Sequence, residues 1–354
     1  MKHRQTETLA LLDRSLARDF QLVPLHAPEA PLFLAVALPL DDAVTGLKPR
    51  LPAGRGLTPQ QAMLAAGAEA MELRASLAQR HAEELALLPR RDGVAYCEAR
   101  DLVSDAAVPV AAQEVYLDCA AVLDEPLRWE ANSTGCAVGR DREMAVSVAL
   151  WECIERDALA LWWHGNRPAA ALDLEMIDPH QPRLFWWLHQ RTRRTTLMDV
   201  TTDIGLPVVV AVSSDRSGRV VAMGAAARPE RGEAALAAVT EMVQSEVSLE
   251  LAHQAGDPEA CAWIEAASTE VQSQFRPEAP KARDTIQGGL HALLERLTGL
   301  GHRALAIDLT LPDDPLPSVR VLVPGLCAMQ GRIGTPRFRL LCPAATGPNL
   351  PEPF

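Results

Sequence analysis

The stretch Ala131-Asn-Ser-Thr-Gly-Cys-Ala-Val-Gly139 runs, across Arg140 and Asp141, into Arg142-Glu-Met-Ala-Val-Ser-Val-Ala-Leu-Trp-Glu-Cys-Ile-Glu-Arg-Asp157. A loop of small, turn-forming residues feeds a long helical pattern. Gly135 and Gly139 allow positive φ or a close approach of backbone to a ligand. Met144, Val148, Trp151 and Ile154 recur near every fourth position and form an apolar stripe for a core. Glu152 and Glu155 stand three apart, so both carboxylates leave one side of the helix, with Arg156 beside them. Two hard oxygen donors side by side suit Mg2+, an ion that usually arrives with phosphates. The same spacing is also common on any solvated helix face.

The device recurs. Upstream, the Pro- and Gly-rich segment 48–56 leads to Thr58-Pro59, an N-cap followed by proline at the first helical position. The helix predicted from there to about Leu88 carries Glu69 and Glu72. Downstream, an alanine-rich helix opening at Glu233 carries Glu241 and Gln244. Three such helices converging would hold one or two Mg2+ ions between a nucleotide and the protein. Other motifs are missing from the sequence: it has neither of the phosphate-binding patterns Gly-x-x-x-x-Gly-Lys-Ser/Thr and Gly-x-Gly-x-x-Gly after a strand, and neither of the hydrolase patterns His-Glu-x-x-His and Gly-x-Ser-x-Gly.

Bulk properties bound the class. The chain has 354 residues, 48% hydrophobic and 23% charged, with a formal net charge of -12. That charge argues against nucleic acid as a partner, since phosphate backbones need clustered Lys and Arg. The apolar run 31–40 is too short to span a bilayer, and the polar N-terminus has no secretory apolar segment. The seven cysteines are scattered, without a Cys-x-x-Cys pair, and read as reduced, mostly buried thiols of a cytoplasmic protein.

Elsewhere the pattern mixes helices and strands. A helical period in the first 20 residues precedes strands at 21–25 and 32–38. Residues 93–125 read as strands and edges, 195–200 and 207–212 as two strands around the turn Thr202-Asp-Ile-Gly-Leu-Pro207, and 219–223 as another. Residues 254–285 read as an irregular surface excursion. A helix at 288–300 and strands at 303–309 and 318–323 follow. The tryptophan pairs Trp162-Trp163 and Trp186-Trp187 read as core or interface aromatics. The fold class is therefore α/β or mixed α+β, with helices packed on mixed sheets.

The loop Asn132-Ser-Thr-Gly-Cys-Ala-Val-Gly139 followed by Ala149-Leu-Trp-Glu-Cys-Ile-Glu-Arg-Asp157 resembles the signature of the YcaO family. Similarity extends from about Gly54 to the end. Gly54-Arg-Gly-Leu57 with Glu69 and Glu72, Asp203-Ile-Gly-Leu-Pro207, 233–244, Asp308-Leu-Thr310 and Arg320-Val-Leu-Val-Pro-Gly-Leu326 all resemble family segments. The terminus Asn349-Leu-Pro-Glu-Pro-Phe354 is similar to the proline-rich tail of the azoline-forming cyclodehydratases.

The resemblance implies a single YcaO-like catalytic domain over 1–354, with a nucleotide site between acidic helices. A family-variable segment would occupy 1–50 and an extended tail 343–354. It implies ATP and Mg2+ as cofactors, with Glu69, Glu72, Glu152, Glu155 and Glu241 as metal ligands. Ser133, Arg140, Arg156 and Gln244 would contact ATP, and Pro353 and Phe354 of the tail would reach the catalytic centre. The activity implied is activation of a peptide backbone amide, in the azoline branch by attack of a Cys, Ser or Thr side chain on the preceding carbonyl.

The partners implied are a precursor peptide and a separate leader-binding or E1-like protein, with no nucleic acid or membrane; a homodimer stays open. The chain departs from the family pattern at Ala65, Glu72-Leu73-Arg74, Arg140 and Met144. Thioamide or amidine formation, and a non-catalytic subunit, are the alternatives.

Overall fold

The computed structural model describes residues 2–25, 30–281, 283–328, 335–343 and 345, with side chains described from Thr6 onward. The chain divides into two compact units. The first comprises Met1–His26, Phe33–Cys153 and Gly301–Pro324; the second comprises Ala27–Leu32, Ile154–Leu300 and Gly325–Phe354. The expected mixture of helices and sheets is realised in its α+β form, since every pair of named strands is antiparallel.

In the first unit a three-stranded sheet orders Phe20–Leu25, Phe33–Pro39 and Ala53–Gly56. The helix Pro59–Ser76 lies against it. Thr58 caps the helix by accepting from the Gln61 amide, and Pro59 occupies the first turn as anticipated. The face it buries is made of small residues, Ala62, Ala66, Gly67 and Ala70. That lets the strand approach so closely that a Cβ on Gly54 would lie 2.1 Å from the Ala66 nitrogen. The helix Lys2–Leu16 joins the same core through Leu12 and Leu16, which pack with Phe20, Met71 and Leu77. Arg74 ties these parts together: it donates to the Ser15 carbonyl at 2.8 Å and Asp19 at 3.1 Å, and pairs with Asp314.

The helix from Pro59 stops at Ser76 and does not run to Leu88. Leu77 turns extended, with φ -76° and ψ 123°. Ser76 and Ala78 exchange backbone hydrogen bonds with Leu117 at 2.8 and 3.0 Å. A long-range backbone pairing, invisible to helix propensity, overrides the alanine- and glutamate-rich pattern. The second sheet of this unit runs Arg90–Arg91, Val94–Asp101, Leu305–Asp308, Ser318–Leu322, Cys136–Val138, with Ala107–Ala111 paired to Val94–Asp101.

The second unit holds a four-stranded sheet ordered Ala222–Ala227, Val208–Ser214, Arg194–Asp199, Ala170–Leu172. The strand predicted at 219–223 sits three residues later, at Ala222–Ala227. Both Val208–Ser214 and Ala222–Ala227 are buried throughout, which explains their apolar runs without polar alternation. Residues 254–285 are not a mere surface excursion. They include the helix Pro258–Ala266, whose Trp263 is buried and donates to the Val221 carbonyl at 2.7 Å. Trp163 packs beside it, and Phe275 packs against Trp163 in turn. Trp162 and Trp163 are core residues as expected; Trp186 is 60% exposed and Trp187 stacks under Arg191. All seven cysteines are free thiols, six of them buried. Among the described residues no helix is long and apolar enough to cross a membrane.

Candidate functional site

The organising stretch forms the strand Cys136–Val138 and the helix Arg142–Trp163, whose residues to Cys153 belong to the first unit and from Ile154 to the second. The loop before it is folded tightly. Asn132 Oδ1 accepts from the Thr134 amide at 3.0 Å, and the Ser133 carbonyl accepts from Cys136 at 2.9 Å. Gly135 has φ +81°, and a Cβ there would meet the Val321 carbonyl oxygen at 2.2 Å. Its amide donates to Glu152 Oε2 at 3.0 Å and its carbonyl accepts from Val321 at 2.7 Å. Left-handed backbone and lack of room both require glycine here. Gly135→Ala is expected to cost about 1–3 kcal/mol, read as a lower unfolding midpoint together with a loosened loop.

Glu152 thus belongs to the loop as much as to its helix. Glu69 plays the matching part on the helix Pro59–Ser76, its Oε2 accepting from the Ala53 amide of the neighbouring strand at 2.8 Å. Glu72, one turn further, is half-buried and has its carboxyl pKa raised well above the ordinary 4.5. Burial is the largest cause, then the charges of Glu152 and Glu69, while Arg320 pulls the other way. Three predicted ligands, Glu69, Glu72 and Glu152, are therefore brought together in the first unit.

The sign of the pH effect follows. With a raised folded pKa, the folded chain keeps a proton on Glu72 that the unfolded chain has released. The contribution of this one group is greatest at low pH and is lost as pH rises from the ordinary 4.5 through the folded value. Without divalent ions, Glu72→Gln is expected to melt above the wild type at alkaline pH, the gap closing on acidification. Parallel melting temperatures across pH would contradict this.

Arg320 is the residue sequence reasoning passed over. It sits 3% exposed in a strand between Val319 and Val321, both fully buried. Its Nη1 donates to the Asn132 carbonyl at 2.6 Å and lies 3.3 Å from Cys136 Sγ. A lone arginine inside an apolar strand was the available signal, since a buried guanidinium demands partners. Burial pushes the Cys136 thiol up to about 12, away from the reactive thiolate form.

In the second unit Glu155 is 8% exposed, and its Oε2 accepts from the Ala227 amide at 3.1 Å. Arg156 Nη1 lies 3.6 Å from Glu155 Oε1. Asp157, wholly buried, serves the architecture: it accepts from the Cys327 amide at 2.9 Å and from Arg337 Nε and Nη2, both at 2.9 Å. The helix Arg231–Gln254 covers the strand Ala222–Ala227 so closely that a Cβ on Gly224 would meet Met242 N at 2.2 Å and Glu241 Cβ at 2.7 Å. Glu241 and Gln244 are both half-buried on that helix. Glu155 and Glu241 are therefore set against one strand, at Ala227 and Gly224.

Ser133 is exposed, and Arg140 is exposed with its Nε 3.0 Å from Asp141 Oδ2. Pro353 and Phe354, with the rest of 346–354, lie outside the described residues. Among the described residues no three His, Cys, Asp or Glu side chains close round one point as a metal cage. Mg2+ is commonly held by one or two carboxylates and completes its shell with water and phosphate oxygens. Carboxylates crowded until one of them has its pKa raised are a donor set that such an ion would relieve.

A family model described as YcaO cyclodehydratase, ATP- and Mg2+-binding, matches residues 78–327. An uncharacterized protein in the tfuA 3' region of Rhizobium leguminosarum bv. trifolii is 29% identical over 322 residues, covering 77% of this chain and 76% of the relative. Among solved structures, a heterocyclase in complex with substrate and cofactor superposes with a TM-score of 0.81 at 19% identity, covering 99% of this chain. The chain spans only 57% of that heterocyclase. YcaO from Methanopyrus kandleri, bound with AMPPCP and Mg2+, superposes with a TM-score of 0.71 at 23% identity over 98% of this chain and 95% of that one. These two structures are similar in fold.

Proposed function

Because the chain belongs to the YcaO family, we propose that it activates a peptide backbone amide with ATP, converting Cys, Ser or Thr residues of a ribosomally made precursor to azolines. The observation that carries the reading is the gathering of Glu69 and Glu152 around the half-buried Glu72. Such a concentration of negative charge is a poor structural device and a good receptor for a divalent cation.

In this reaction the side-chain sulfur or oxygen of the substrate bonds to the preceding carbonyl carbon. The thiol or hydroxyl proton leaves, and the resulting oxyanion takes the γ-phosphoryl group of ATP, releasing ADP. Loss of phosphate, with departure of the amide proton, leaves the C=N bond of the ring. Phosphorylation is needed because an amide oxygen is otherwise a poor leaving group. Mg2+, when bound, would neutralise phosphate charge.

The chain's own groups have separate tasks. Glu69, Glu72 and Glu152 would hold the ion in the first unit, and Glu155 and Glu241 carry the same chemistry in the second. Arg156 would contact phosphate, its guanidinium offering paired donors, and Gln244 would help place the nucleotide. Ser133 and Arg140 are further candidates for nucleotide contact, and Pro353 and Phe354 for the catalytic centre. A separate protein would deliver the precursor peptide.

The test is phosphate release from ATP with a candidate peptide and partner, with and without Mg2+. Release that needs Mg2+ and yields a peptide lighter by one water per ring is expected. No release, together with no calorimetric binding of Mg2+·ATP, would overturn the reading in favour of a non-catalytic subunit. Release accompanied by exchange of an amide oxygen for sulfur, or by loss of water with every Cys, Ser and Thr side chain left unmodified, would point to another branch of amide chemistry.

A further inference from the structure

The turn Asn132–Gly135 is entered through residues 126–131, which form no helix or strand and face solvent except at the half-buried Trp129 and Ala131. Connecting segments on a surface are ordinarily mobile. This one is held from inside. Gln113, 1% exposed on the short helix Ala112–Val115, turns its carboxamide to the segment. Its Oε1 accepts from the backbone amides of Arg128 and Trp129 at 2.9 and 3.3 Å. Its Nε2 donates to Glu125 Oε2 at 3.0 Å and to the Pro126 carbonyl at 3.1 Å. Both hydrogens and both lone pairs of the carboxamide are thereby used. Glu125, whose side chain has no exposure, accepts from the Ala95 amide at 3.0 Å through Oε1, which lies 3.5 Å from Arg90 Nη1. An ionised carboxylate only accepts, so Glu125 admits the NH2 end of Gln113 and turns its oxygen toward the segment. Packing alone would be served as well by two apolar residues, whereas a satisfied polar pair fixes what it bonds.

We propose that Gln113 is a positioning residue of the nucleotide site. Oriented by Glu125, it latches the Arg128–Trp129 backbone and so sets the Asn132–Gly135 turn, with Ser133 on it, in place before nucleotide arrives. It rests on the reading above, in that this turn is taken to meet ATP. The segment between latch and turn is short and itself held: Glu130 pairs with Lys48 at 2.6 Å, and Ala131 packs against the core of Leu12, Met71 and Leu77. The far end of the turn is gripped by Glu152 through the Gly135 amide. A turn left loose at its entry would have to be ordered on binding, at a cost in affinity.

The test compares wild type, Gln113→Glu, Glu125→Gln and the double exchange by calorimetric titration with Mg2+·AMPPCP and by thermal unfolding. Gln113→Glu sets two carboxylates against each other. Glu125→Gln confronts two NH2 groups, or else turns the Gln113 NH2 onto the loop amides. In the double exchange a carboxylate at 113 accepts from the loop amides and from a carboxamide at 125, whose oxygen accepts from Ala95. Only the donor to the carbonyl of Pro126, an exposed residue, is lost. Each single variant is expected to bind Mg2+·AMPPCP about tenfold more weakly, the factor that ordering roughly one residue on binding would cost. The double exchange is expected to restore most of that affinity. Lower midpoints with wild-type affinity in both single variants would assign the pair to stability alone and overturn the proposal. So would a double exchange that binds no better than the single variants.

Should the single variants not fold, hydrogen exchange on the nucleotide-free wild type decides. Peptides covering 126–131 are expected to retain protected amides at Arg128 and Trp129, since the latch is closed without ligand. Exchange there as fast as in an open loop overturns the proposal. Wild type that does not bind Mg2+·AMPPCP sinks the ATP reading and, with it, the nucleotide role of the latch. Wild type that binds, with single variants that match it, sinks only the role given to Gln113.

Discussion

Arg337→Met is expected to destabilise the chain by about 3–5 kcal/mol, the cost of stranding a buried charge. Asp157 has no exposure and holds Arg337 through Nε and Nη2, each at 2.9 Å. The same guanidinium reaches Asp203 at 2.6 and 3.1 Å. Burial raises the Asp203 pKa, but the Arg337 hydrogen bonds and charge outweigh it and hold the carboxyl below its usual range. Among the described residues, removing Arg337 leaves Asp157 with the Cys327 amide as its hydrogen-bond donor. Denaturant midpoints measure the loss. Asp203 is 36% exposed in its side chain, so water compensates its loss of a partner. Asp203→Asn should therefore cost only about 1 kcal/mol or less. If both substitutions cost the same small amount, Asp157 is not the anchor of this network. The double variant Asp157→Leu, Arg337→Met, apolar on both sides, should recover much of the loss.

That network marks where reading residues in order stops working. Asp157 ends the Glu-x-x-Glu-Arg-Asp run and looks like a site residue, yet it faces the core. Its partner stands 180 positions away in the sequence, and nothing local announces it. The acidic helices were legible because their determinants are local: an N-cap with proline, glycines before the helix, and carboxylates three apart. The break at Leu77 was not, because it answers to the backbone of Leu117. Pro258–Ala266 was missed for a related reason. It is short and alanine-rich, and its buried anchor, Trp263, is bonded to Val221 of a distant segment. Arg320 was quoted for resemblance and passed over for chemistry. Only the fold brings its charge near Glu72, although a charge flanked by two valines could have raised the question. The grouping of Glu69, Glu72 and Glu152 depended on the same long-range geometry, and the spacing of an isolated pair favoured a solvated face.

Glu155→Gln should abolish most ATP turnover while leaving the fold nearly intact, and that separation makes it more informative than truncation. Glu155 has two roles available to it. It accepts from the Ala227 amide at 3.1 Å in a buried setting, and its other oxygen faces Arg156 at 3.6 Å. Glu155→Ala would strand the Ala227 donor, at about 1–3 kcal/mol, so loss of activity would be confounded with loss of structure. Glutamine has the same shape and retains a carbonyl oxygen for Ala227; only the negative charge goes. If that charge serves a divalent ion or sets Arg156 against phosphate, phosphate release should fall about 10²–10³-fold, the range typical for deleting one preorganised electrostatic contact. The unfolding midpoint should stay close to the wild type's. Wild-type release by Glu155→Gln would assign the carboxylate to the Ala227 amide alone and move the chemistry to the carboxylates of the first unit. Equal losses of stability and turnover would instead mean that the ion pair with Arg156 holds the helix in place.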